Sequence, residues 1–304
     1  MKLKERIKNR FVKLDRLLSY KLRNVSLPGF RKKSLYEVSK FFFRSFFEED
    51  QSLRASALAF NFFLALFPTI IFLFTLIAYI PIADFHDEIV GILEVFLPPN
   101  AFELLLGTIN DILKNQNAGL LSFGFIAALY FASNGFANMI SAFDLDVDRK
   151  FQRNWFNIRL KSFGLTFLVT SLLVTSIVVS ISIDYSIWYL AELPWIKSSW
   201  IPFILKLVEY VIVIALVYFI FSSLYYFGSS KVSSWKFFSP GSTLATFLSL
   251  LTTYAFTLYV ENFNSYNKLY GSIGTILVIM VLIFFISFVV LIGFELNKSI
   301  DKAD

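Results

Sequence analysis

The stretch LYGSIGTILVIMVLIFFISFVVLIGF, Leu269 to Phe294, runs 26 residues without a charge between Lys268 and Glu295. The hydrocarbon core of a bilayer is roughly 30 Å thick, and about 20 apolar residues of helix cross it. This window is long enough to span with some tilt. Five others share its character: 55–83, 115–143, 162–183, 210–230 and 237–260 are also charge-free and rich in Leu, Ile, Phe and Val. In hydrocarbon every backbone N–H and C=O must be satisfied within the segment or by a closed barrel. Barrel strands would be shorter and would alternate polar with apolar residues, and these windows do not. The expected fold class is therefore all-α, a polytopic membrane protein with six transmembrane helices.

Composition agrees. The chain is 57% hydrophobic and 16% charged, with 38 Phe residues. Ordinary soluble domains are less than half apolar. Cysteine is absent, which removes disulfides, thiolate zinc sites and cysteine nucleophiles from the possible chemistry. Residues 1 to 33 carry twelve Lys or Arg and no continuous apolar core, so no cleavable signal peptide is expected.

Orientation follows from the placement of the 28 basic residues. Twenty-four fall before the first window, between the second and third, between the fourth and fifth, or after the sixth; four (Lys114, Lys197, Lys206 and Lys268) fall on the other side. The positive-inside rule then puts both termini in the cytoplasm, and an even number of spans, which keeps both ends on one side, agrees. The domain reading is a basic amphipathic arm at 1–50 and a membrane domain at 51–298. Spans are expected near 55–80, 119–142, 163–187, 202–227, 240–260 and 270–294, with an extracytoplasmic helical loop at 84–117 and a tail at 299–304.

Two stretches outside the spans show helical periodicity. Leu3, Ile7, Phe11, Leu14, Leu18 and Leu22 are spaced by three or four among basic residues, the pattern of a helix lying on anionic inner-leaflet lipids. Nucleic acid is the rival partner for a basic arm and is not expected beside a membrane. In the outer loop, Ile89, Ile92, Leu93, Phe96 and Leu97 form one apolar face. Asn100 with Glu103 then opens a second helix after Pro98-Pro99. These helices serve as a lid or as a packing element.

Catalytic chemistry finds little support. Hydrolysis needs a nucleophile with a base, a metal cage or paired carboxylates. The single histidine, His86, stands in the acidic outer loop with Asp84, Asp87 and Glu88, where a solvated helix start accounts for it. Asp144, Asp146 and Asp148 alternate beside Arg149, Lys150 and Arg153 but lack the Gly and terminal Glu of a calcium loop. No catalytic residue, cofactor or metal site is assigned, and the chain is expected not to be an enzyme.

Polar residues inside the spans carry more weight, because they are costly there and tend to face a cavity or a partner helix. Asn134, Asn138 and Ser141 share one face of the second span, next to a small-residue stripe of Ser133, Ala137 and Ser141. They read either as interhelical glue or as a polar lining for a translocated group. Glu209 is the only carboxylate well within a span. Lys206, three residues earlier, is placed to pair with it, so Glu209 reads either as half of a structural ion pair or as a coupling-proton or cavity-lining group. The first span holds Asn61 and Pro68, the latter removing one backbone hydrogen bond.

Four stretches carry a resemblance to a known family. They are Ala55-Ser-Ala-Leu-Ala-Phe-Asn61 leading to Leu66-Phe-Pro68; Phe96-Leu-Pro98; Lys231-Val-x-x-Trp235-Lys236 followed by Pro240-Gly241-Ser242; and Tyr270-Gly271-Ser-Ile-Gly274 with Gly293-Phe-Glu295-Leu-Asn297. In this order and at these depths the chain resembles the YihY / virulence-factor BrkB family of bacterial inner-membrane proteins, over roughly residues 45 to 298. It departs from the family at Arg153-Asn154, where relatives often have Arg-Pro, and at Gly228, where they often have Pro. The resemblance implies a six-helix membrane protein with both termini inside, linked to serum resistance and envelope integrity, with a suggested role in lipid movement. It also brings a tRNA-processing ribonuclease label. The expected function is a non-ATP-driven transporter or flippase-like protein for a lipid or amphiphile. A non-transporting scaffold is the alternative and a ribonuclease the remote one; homo-oligomerisation stays open.

Overall fold

Lipid as solvent leaves large apolar side chains on the outside of this protein and lets small polar ones share the interior with an apolar core that includes Leu58, Met139 and Ile140. In the computed structural model the fully buried residues include Ser133, Ser162, Ser222, Ser242 and Ser299, while Phe123, Ile126, Phe167, Ile177, Ile181, Val211 and Phe247 are exposed. In water such an apolar exterior would form a patch far beyond what a soluble monomer shows. In a bilayer, apolar side chains gain nothing by turning inward, and small residues that admit close helix contact occupy the interior. Buried hydroxyls are mostly satisfied within their own helices: Thr75 donates to the Ile71 carbonyl at 2.7 Å, Thr166 to Ser162 at 2.7 Å and Thr246 to Ser242 at 2.8 Å.

The structure describes residues 25–26, 29–30, 33–48, 51–79, 90, 106–107, 110–111, 116–144, 153–192, 200–229, 237–261 and 264–302. The amphipathic helix expected at 3–22, most of the outer loop 84–117 with His86 and Pro98, Asp146, Asp148 and the Lys231–Lys236 motif lie outside these residues. The described residues include seven helices: α1 (Leu35–Glu48), α2 (Gln51–Ile77), α3 (Ala118–Phe143), α4 (Trp155–Glu192), α5 (Trp200–Gly228), α6 (Pro240–Glu261) and α7 (Asn264–Lys302). Among the described residues there is no strand. Six of these helices, α2 to α7, are long and apolar enough to cross a membrane.

The chain divides into two compact units, with boundaries inside α2, α4, α6 and α7. One comprises Met1–Leu53, Leu172–Leu248 and Phe288–Asp304; the other comprises Arg54–Ser171 and Ser249–Ser287.

In the second unit α2 and α3 form an antiparallel pair. Asn117 caps α3, accepting from the Leu120 N–H at 2.9 Å. The Gln116 amide reaches back to the Ala78 carbonyl at 3.2 Å. Further along, a Cβ on Gly124 would stand 3.0 Å from the Phe72 backbone nitrogen, and the Phe62 and Phe136 rings meet edge-on at 5.2 Å. As α2 advances its partners on α3 recede, which fixes the direction. Pro68 lies within α2, and the helix is continuous through it.

In the first unit, Ser34 caps α1. The Glu37 N–H donates to its hydroxyl at 3.2 Å, in the Ser-x-x-Glu spacing of a capping box. Phe30 and Val38 bury against Ile300 near the end of α7, with Leu35 and Leu296 alongside. Lys33 donates to the Ile300 carbonyl at 2.7 Å. Gly29 turns the chain with φ +88°, where a side chain would press on Pro240. Sequence reading places 35–48 in an undivided arm; the cap and the buried Val38 make it a docked helix. α7 likewise runs on to Lys302, past the span end expected near 294. Beyond Phe294, Glu295 and Asn297 stay in the helix, the first paired through Oε2 with Lys298 and the second bonded to α6.

Candidate functional site

Three membrane helices of one unit bring polar groups together. Asn61 on α2 donates to the Ala57 carbonyl at 2.8 Å, so its amide plane is set by its own helix. Its oxygen accepts from the Asn134 amide on α3 at 2.8 Å. The Asn134 oxygen in turn faces Arg159 on α4, which donates through Nη1 at 3.4 Å. The result is a track of amide and guanidinium groups across α2, α3 and α4. All three residues are half-buried.

Arg159 is the member that sequence reading did not single out. Its guanidinium lies 4.8 Å from the Tyr130 ring centroid and 5.5 Å from that of Phe163, the separation of cation–π contacts. Of the other residues on the expected α3 face, Asn138 is half-buried one turn beyond Asn134. Ser141 turns its hydroxyl onto the Ala137 carbonyl at 2.9 Å, and Ser133 onto Tyr130 at 2.9 Å. Neither hydroxyl contributes to the track. At the end of α3, Asp144 faces Arg153 at 3.9 Å. Burial lowers the pKa of Arg153 from its ordinary value and the Asp144 charge opposes that shift. Arginine stays protonated in either case.

A second polar group lies in the other unit. Lys206 on α5 binds Glu209 Oε2 at 2.8 Å and also donates to Asp184 Oδ1 on α4. Glu209 is buried. The spacing of three residues accounts for the Lys206–Glu209 pair, and Asp184 adds a second carboxylate from a neighbouring helix. One ammonium between two carboxylates makes Glu209 part of an ion network. On the same unit α5 carries an apolar hollow of about 380 Å³ lined by Val211, Ile214, Ala215, Tyr218, Phe219 and Phe238.

The motif residues of the last two helices meet in that unit as well. Ser239 is the N-cap of α6, taking the Ser242 N–H at 3.2 Å. Pro240 holds the first helical position, where its missing N–H costs nothing. Asn297 of α7 completes the cap from a distance, accepting the Gly241 N–H at 2.8 Å and donating to Ser239 Oγ at 2.9 Å. Gly241 and Gly293 face each other there: a Cβ on Gly293 would stand 2.7 Å from the Gly241 carbonyl oxygen and 2.8 Å from Ala245 Cβ. Tyr225 of α5 donates to the Val290 carbonyl at 2.9 Å. Glu295, 2% exposed, pairs with Lys298 at 3.1 Å through Oε2, while its Oε1 is buried without a hydrogen bond. Tyr270, Gly271 and Gly274 lie within the opening turns of α7.

This arrangement of a capped α6 crossing α7 at two glycines explains why Pro240-Gly241-Ser242 and Gly293-Phe-Glu295-Leu-Asn297 belong to one node. A family model described as virulence factor BrkB matches residues 42–304. The chain belongs to this family. Among BrkB relatives, the ribonuclease-like protein YfkH of Bacillus subtilis (strain 168) is 31% identical over 281 residues, covering 87% of this chain and 95% of that protein. A UPF0761 membrane protein of Haemophilus influenzae (strain 86-028NP) is 26% identical over 277 residues, 88% of this chain and 97% of that one. One from Aggregatibacter aphrophilus (strain NJ8700) is 23% identical over 265 residues, 84% and 88% respectively. No solved structure matches. This BrkB-family chain is an integral membrane protein whose described residues contain no group of three His, Cys, Asp or Glu placed to hold a metal ion.

Proposed function

We propose that this BrkB-family chain is a non-ATP-driven, flippase-like transporter of a lipid or related amphiphile in the bacterial inner membrane, with both termini in the cytoplasm and a role in envelope maintenance. The observation that carries the reading is the Asn61–Asn134–Arg159 track. A lipid headgroup crossing hydrocarbon loses its water, at a cost of several kcal/mol per unsatisfied polar group. Amides and a guanidinium on facing helices supply substitute partners along part of that path. The hollow on α5 offers apolar surface of the kind a hydrocarbon tail requires. Anionic inner-leaflet lipids are the proposed partner of the basic arm.

Purified protein reconstituted in vesicles with a headgroup-labelled phospholipid tests the reading. Exchange between leaflets is expected to exceed that of empty vesicles, and Asn61→Ala and Asn134→Ala to slow it at least tenfold. Rates equal to empty vesicles would remove transport from the account. The same preparation is expected to leave RNA intact, because the chain has one histidine and no cysteine and its described residues hold no carboxylate cluster placed for metal ions; cleavage that co-purifies with the protein through successive columns would reinstate the ribonuclease reading.

A scaffold without transport is the second reading, and the close packing at Gly241 and Gly293 favours it. It predicts that Asn134→Ala cells keep a wild-type envelope.

A further inference from the structure

We propose that Arg159 recognises the phosphate group of a phospholipid headgroup, a role that rests on the reading of this polar face as one that handles an amphiphile. The other cations placed near carboxylates are matched: Arg153 by Asp144, Lys206 by Asp184 and Glu209, Lys298 by Glu295. Among the described residues no carboxylate pairs with Arg159. It has two aromatic rings and one long bond to an amide oxygen. A guanidinium carries five N–H donors in a planar fork. Buried or half-buried charges in membranes are held by partners, and among the described residues most of the fork has none.

The surroundings select the ligand. A planar fork matches two oxygens of a phosphate in bidentate fashion better than a point charge does. Arg159 lies one turn, about 6 Å, into α4 from Trp155 and four residues before the span expected from 163, a position that suits a headgroup rather than the bilayer centre. Beside it Tyr130 is 53% exposed, and Phe156, three residues earlier on α4, is 68% exposed. That apolar surface suits acyl chains and offers nothing to a soluble anion. An anionic oxygen group next to apolar surface describes a glycerophospholipid. The Asn134 amide, whose oxygen faces Arg159 and whose nitrogen is committed to Asn61, positions the guanidinium rather than neutralising it.

The experiment measures binding to the full-length protein in a zwitterionic detergent, by native mass spectrometry. Its three probes are phosphatidylglycerol, diacylglycerol with the same chains, and soluble glycerol phosphate. Phosphatidylglycerol is expected to bind, and Arg159→Gln to weaken it at least tenfold. Arg159→Lys, keeping charge without the fork, should fall between them. Tyr130→Ala, which leaves the charge in place, should weaken binding a few-fold and guards against a folding artefact in the Arg159 variants. Diacylglycerol binding should be weak and unchanged by Arg159→Gln. Equal binding of phosphatidylglycerol to wild type and Arg159→Gln would overturn the proposal, as would diacylglycerol binding as tightly as phosphatidylglycerol. Glycerol phosphate that binds as tightly as phosphatidylglycerol and displaces it would overturn the lipid assignment in favour of a soluble phosphate ester. Arg159-dependent binding by a protein that exchanges no lipid would uphold the phosphate site and sink only the transport reading.

Discussion

Alanine at Gly293 or Gly241 is expected to destabilise the protein by about 3 kcal/mol, the upper end for overpacking a filled interior. At Gly293 the added methyl would collide with the Tyr225 hydroxyl and stand 2.7 Å from the Gly241 carbonyl oxygen. At Gly241 it would collide with the Gly293 carbonyl and stand 2.6 Å from the Asn297 amide. Neither neighbour is the free end of a flexible chain. The carbonyls belong to helix backbones, Tyr225 is tied to Val290 and Asn297 is tied to Ser239. The helices must move apart, and the Asn297 cap on α6 is lost with them. Unfolding of detergent-solubilised protein, followed by tryptophan fluorescence, measures the change. Gly164→Ala is the control, since a Cβ there meets nothing within 4 Å; that variant should be neutral or gain up to about 1 kcal/mol from helix propensity. A Gly293→Ala protein as stable as wild type would mean that α6 and α7 do not cross at these glycines.

Glu295→Ala is expected to cost about 3 to 5 kcal/mol, the range for removing one member of a buried ion pair. The two side chains are 3% and 12% exposed. Without the carboxylate, the Lys298 ammonium stays in a site that water reaches poorly. The expected pattern in a double-mutant cycle is asymmetric. Glu295→Ala alone is severe, whereas Glu295→Ala with Lys298→Met recovers much of the loss, because the stranded charge is gone. Equal stabilities for single and double variants would show that the pair is screened by solvent. The unbonded Oε1 adds a further point. Glu295→Gln keeps the shape and an acceptor for Lys298 but removes the whole carboxylate charge, so its cost should approach that of the alanine variant.

The membrane helices were legible because hydrocarbon imposes a demand on long contiguous runs, and 269–294 and its five counterparts meet it without help from the rest of the chain. Local pairings were legible too: Lys206 and Glu209 share a helix at a spacing of three. Distant pairings were not. Asn61 and Asn134 lie 73 positions apart, and no periodicity says which residue on another helix an amide will face. Arg159 stands near the start of α4 among other basic residues, where charge reads as a topology signal, so its turn toward Asn134 could not be distinguished from a solvated loop cation. Helix α1 was missed for a different reason. Leu35 to Glu48 is too short and too charged to signal a span, and its cue was the Ser34–Glu37 cap followed by Val38. The long-range cap from Asn297 to Gly241 had only its motif residues as a trace, without a partner assigned to either.

The exchange of a buried serine interior for an apolar rind has a thermal consequence. When a soluble domain unfolds, apolar groups enter water and the heat capacity rises, which bends stability into a dome with temperature. Separating helices within a bilayer moves a buried side chain such as Leu165, Val169 or Phe221 from one hydrocarbon neighbour to another. Little apolar surface meets water in that step, so little heat capacity is gained. The association of these helices should therefore vary almost linearly with temperature, with no cold-side weakening of the kind hydrophobic cores show.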